Sequence, residues 1–90
     1  MPKEKTELFC FSCDLSSLKG ISSLLNLRRL DCSHNSLTSL KGISSLVNLQ
    51  KNLDCSDNSL TSLEGISSLL NLQKLNCSNN SLISLEDLLH

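Results

Sequence analysis

An α/β solenoid of stacked coils, with a parallel sheet on one face and 3₁₀ or turn segments on the other, is the fold class this sequence predicts. Three observations predict it. Leu8, Leu30, Leu53 and Leu75 recur in register, 22, 23 and 22 residues apart. Around each of them apolar and polar residues alternate, the period of a half-buried strand. Phe9 and Phe11 are the only aromatic residues in the 90, so leucine and isoleucine must build many thin layers rather than one large centre.

The strand comes first in each unit. Leu30 and Cys32 alternate with Asp31 and Ser33, and the same order returns at Leu53–Ser56 and Leu75–Ser78. Asn35, Asn58 and Asn80 follow at one repeated position, where an amide side chain can bond backbone groups that a turn leaves unpaired. Cys13 holds that place in the first unit. Leu37 and Leu40 are three apart and Gly42 comes next, which predicts a tight, 3₁₀-like return. Gly20, Gly42 and Gly65 each open the run Gly-Ile-Ser-Ser-Leu, and Asn26, Asn48 and Asn71 read as turn residues before the next unit. The division is a tail at 1–6 and one domain at 7–90, with units 7–26, 27–48, 49–71 and a shortened 72–90. No unit can bury its leucines alone, so stacking must supply the core.

Residues 8 to 90 resemble the leucine-rich repeat pattern L-x-x-L-x-L-x-x-N/C-x-L, with cysteine in the third apolar place. The trailing L-x-G-I-x-x-L-x-N is similar to the short 22-residue class, found in a regulatory subunit of a type-one protein phosphatase and in bacterial internalins. The resemblance implies a right-handed horseshoe segment with the sheet on its concave face. It also implies a non-catalytic protein that binds its partner there.

Two departures stand out. Asn52 is one residue more than the spacing needs, which predicts a bulge or loosened turn before the third strand. In the last unit Glu86-Asp87-Leu88-Leu89 replaces the Gly-Ile-Ser-Ser-Leu run.

The formal net charge of −1 gives no general attraction to nucleic acid or anionic membranes, and neither is expected as a partner. The charged stretch Met1–Glu7 has no apolar run behind it, and no segment approaches a membrane span. Five cysteines fit a reducing setting better than a disulfide framework, so a cytoplasmic, intracellular protein is expected. Cys10, Cys32, Cys55 and Cys77 read as an inward row of small apolar side chains. Cys10-Phe11-Ser12-Cys13 has redox or zinc spacing, yet the repeat already places both of its cysteines. No catalytic motif is present, and no metal or cofactor is expected.

Outward strand positions form columns across the units: Glu7, Arg29, Asn52, Lys74; then Phe9, Asp31, Asp54, Asn76; then Phe11, Ser33, Ser56, Ser78; then Ser12, His34, Asp57, Asn79. The residues expected to touch a partner are Phe9, Phe11, Arg29, Asp31, His34, Asp54, Asp57, Lys74 and Asn76. Phe9 and Phe11 are an aromatic hot spot, or the N-terminal residues cover them. Since the first strand is a sheet edge, a homo-oligomer through it is expected as one form of partner. The alternatives are a regulatory subunit docking onto an enzyme such as a phosphatase, and a self-assembling or designed array, which the near-identical second and third units suit.

Overall fold

Residues whose outward neighbours are polar and inward neighbours apolar become very short strands. A computed structural model describes residues 5–83. In it β1 (Glu7–Phe9), β2 (Arg29–Asp31), β3 (Asn52–Asp54) and β4 (Leu75–Asn76) form one parallel sheet in sequence order. The repeat sets the register directly: Leu8 lies beside Leu30, Leu30 beside Leu53, and Leu53 beside Leu75. Main-chain bonds continue past the strand ends, with Cys10 N donating to Asp31 O at 2.7 Å and Cys32 N to Asp54 O at 2.8 Å.

Opposite the sheet, the chain returns through single 3₁₀ turns at Ile21–Ser23, Ile43–Ser45 and Ile66–Ser68. Gly42 and Gly65 precede two of them at φ +97° and +99°, a region that side chains disfavour. Space forbids a side chain there as well. A Cβ on Gly42 would lie 2.8 Å from Ser22 Cβ, and one on Gly65 would lie 2.8 Å from Ile43 Cγ2. These glycines let adjacent coils approach closely on the convex side.

The core is a stack of leucines. Leu27, Leu30, Leu37, Leu46, Leu49, Leu53 and Leu60 are fully buried, and Cys32 and Cys55 join them. The outer coils are less covered: Leu8, Leu15, Leu72, Leu75 and Leu82 are half-buried against this cluster. Burial therefore depends on having a neighbour on both sides, as a stacked array requires.

The extra residue is absorbed locally. Gln50 N and Lys51 N both donate to Arg28 O, at 3.1 and 2.9 Å, and Asn52 then pairs in register with Arg29. Leu49 before this bulge and Leu53 after it are both fully buried. The run Glu86–Leu89 lies outside the described residues.

Candidate partner-binding face

The face is built on a corner that every coil turns in the same way. Two residues after the inward cysteine, Ser12, His34, Asp57 and Asn79 adopt left-handed backbone, at φ 55° to 56°. Asparagine and aspartate tolerate that conformation better than most residues. The next side chain then folds back over the coil. Asn35 Nδ2 donates to Cys32 O and Ser33 O in its own coil and to Cys10 O in the preceding one, each at 3.0 Å. Its Oδ1 accepts from Cys13 N and Leu15 N at 2.9 Å. Asn58 and Asn80 repeat the arrangement one and two coils later. Each asparagine thus ties two coils together and satisfies carbonyls that the turn exposes.

A second set of bonds fixes the outward side chains. Ser33 donates to Asp31 Oδ1 from its backbone N at 3.0 Å and from its hydroxyl at 2.6 Å. Ser56 binds Asp54 and Ser78 binds Asn76 in the same way. Ser33 and Ser56, which also have a coil on either side, are only 4% and 5% exposed and do not line the open face as the alternation alone suggests, whereas Ser78 in the last described coil makes the same bonds and stays exposed. A signal for this was present in the sequence: Asp-Cys-Ser, Asp-Cys-Ser and Asn-Cys-Ser at one repeat position spell a side-chain-capped turn.

The first coil lacks that device. Phe9 and Phe11 stand where Asp31 and Ser33 stand, and neither can make the bonds. β1 ends at Phe9, and Phe11 sits in the turn that follows rather than on the strand. The two rings are 58% and 60% exposed.

Register confirms the column Phe9, Asp31, Asp54, Asn76, and the column Glu7, Arg29, Asn52 beside it, with Lys74 just before β4. On the fourth column His34 Nε2 lies 3.3 Å from Asp57 Oδ2, an exposed pair of small energetic weight. Charge is therefore sorted across the sheet. Arg29 opens β2 and Lys74 immediately precedes β4, while Asp31 and Asp54 close β2 and β3 and Asp57 lies in the turn beyond β3. Lys51, which sequence reasoning did not single out, joins the basic side through the bulge.

All five thiols are free. Burial pushes the Cys32 thiol up from its ordinary 9.0 to about 12, and burial raises Cys55 further. Cys10 is raised to about 11, first by a hydrogen bond with Cys13 and then by burial. Folded values above the unfolded one mean that this stabilisation is complete below pH 9.0 and is lost as pH rises through about 11 to 12. Accordingly, a disulfide reagent at neutral pH is expected to label the exposed Cys13 first and Cys32 and Cys55 only on unfolding. Alkylation followed by mass spectrometry checks the order, and early loss of Cys55 would refute it. Among the described residues, no three His, Cys, Asp or Glu side chains could hold a metal ion. No helix of the described residues is long and apolar enough to cross a membrane.

No protein-family model matches the chain, and no curated protein matches it. Among solved structures it is similar to a leucine-rich repeat protein of Leptospira interrogans, with 43% sequence identity and a TM-score of 0.71. That match covers 79% of this chain but only 19% of the other, so the chain spans about a fifth of the length of that protein.

Proposed function

Since this chain is a leucine-rich repeat protein, we propose that it is a protein-interaction module whose concave strand face receives a protein partner. The observation that carries this reading is the side-chain array itself. The second, third and fourth coils hold Arg29, Lys51 and Lys74 beside Asp31 and Asp54, and asparagine and serine hydrogen bonds fix the backbone beneath them. A rigid, charge-sorted face discriminates among partners by complementarity and needs little ordering on binding. Arg29, Asp31, His34, Asp54, Asp57, Lys74 and Asn76 are the contacts assigned to it. The family architecture supports binding over catalysis, and a reducing, cytoplasmic setting agrees with five free thiols. Docking onto an enzyme such as a phosphatase is a narrower version of this reading.

The test is capture from a cell lysate with three immobilised chains: the native one, a concave variant (His34→Ala, Asp57→Ala, Lys74→Ala) and a convex variant (Lys19→Ala, Lys41→Ala). A protein retained by the native and convex chains and lost by the concave one supports the reading. Equal retention by all three ends it.

Self-association is a second reading, favoured by the two exposed rings at the end of the edge strand and in the turn that follows it. The expected result is a dimer mass by light scattering for the native chain and a monomer mass for the Phe9→Ser, Phe11→Ser variant. Identical monomer masses would remove this version.

A further inference from the structure

The basic end of the face contains a hollow of about 300 Å³. Its lining is Arg29, Lys51, Asn52, Gln73 and Lys74: three cations and two amides, with no carboxylate among them. Three features make this more than scattered surface charge. The Arg29 Nε is buried and has no hydrogen-bond partner, which leaves a desolvated donor unsatisfied. Among the described residues, the one ion pair is His34 with Asp57, on another column, so none of the described carboxylates pairs with these cations. Glu7 lies beside Arg29 in register but is not among the lining residues and makes no ion pair with it. Finally, Lys51 and Asn52 enter the hollow through the one-residue bulge, the single place where the coil spacing breaks.

Like charges held together without a counter-charge are unfavourable, and an unsatisfied buried donor adds to that. A bound anion would relieve both. We propose that the hollow bounded by Arg29, Lys51 and Lys74 is a carboxylate-binding subsite that receives an acidic segment of the protein partner. The choice of a peptide carboxylate rests on the reading of this face as a protein-docking surface. Arginine supplies a planar fork for a carboxylate, the two lysines add mobile donors, and the Asn52 and Gln73 amides complete the rim. Asp31 and Asp54, two residues further along the same strands, are held by their serines. They set the far limit of the subsite, so the acidic segment must sit over the strand starts.

The test uses the full chain and a fluorescent hexaglutamate peptide with both ends blocked, followed by anisotropy in low salt. The native chain is expected to bind it. The Arg29→Gln, Lys51→Gln variant is expected to bind about tenfold more weakly. The charge-matched convex variant Lys19→Gln, Lys41→Gln should bind as the native chain does. Deleting Asn52 should weaken binding as well, with circular dichroism confirming that the deleted chain still folds. Equal weakening by the convex variant would overturn the proposal by reducing it to general charge attraction. Inorganic phosphate binding as tightly as the peptide at the same residues would overturn the assignment to an acidic segment. Loss of peptide binding alone, with partner capture still dependent on the concave residues, would remove the subsite and leave the docking face standing.

Discussion

Replacing Asn58 with alanine is expected to lower the unfolding free energy by about 1 to 3 kcal/mol, because one buried N–H loses its partner and the amide's bonds across two coils go with it. The Asn58 amide donates to Cys32 O, Cys55 O and Ser56 O at 3.1 Å, and its Oδ1 accepts from Leu37 N at 2.9 Å. Alanine leaves the Leu37 N–H unpaired in a partly buried turn and removes one of two bonds from each carbonyl, since Cys32 O keeps Asn35 Nδ2, Cys55 O keeps Asn80 Nδ2 and Ser56 O keeps His34 N. Small domains have about 5 to 15 kcal/mol in total, so this one change removes a large share. Urea denaturation followed by circular dichroism measures it. A loss below about 1 kcal/mol would show that water replaces the amide freely. Asn58→Asp sharpens the test, since it keeps the shape and the acceptor but turns a charged oxygen toward the carbonyls. The folded state then favours the neutral carboxyl, so its folded pKa is raised above the unfolded one. The variant should regain stability as pH falls through that folded value.

Leu53→Ala is expected to cost about 2 to 5 kcal/mol, the range for large-to-small changes in a packed core. Leu53 is fully buried and lies between Leu30 and Leu75 in the sheet register. Neither neighbouring coil can close the gap, because its own leucine is held by the same ladder. Leu8→Ala should cost clearly less, since Leu8 is half-buried and has a coil on one side only. Paired denaturation curves check the ranking. Equal losses at the two positions would contradict a stack whose stability comes from nearest neighbours.

Much of the fold was legible because its information is periodic. Leucine spacing gave the coils, alternation gave the strands, and the repeated asparagine gave the ladder position. The face was only partly legible. Alternation treats every second residue as outward, so it placed Ser33 and Ser56 in the open; bonded back to Asp31 and Asp54 and flanked by coils on both sides, they are buried. It also carried β1 through to Phe11, where the turn begins after Phe9. The contribution of Lys51 was not legible at all. It depends on how the backbone takes up one additional residue, and an apolar pattern says nothing about that. The partner-face residues are brought into columns by register, while their contacts depend on a surface that this chain does not contain.

The bulge at Gln50–Lys51 has a consequence for how such a protein can change over generations. An insertion there leaves the leucines and asparagines on either side in their places, so it escapes the purge that removes most altered spacings. Recognition can then diversify by length as well as by letter, at this one point of the third coil, while the scaffold stays the same.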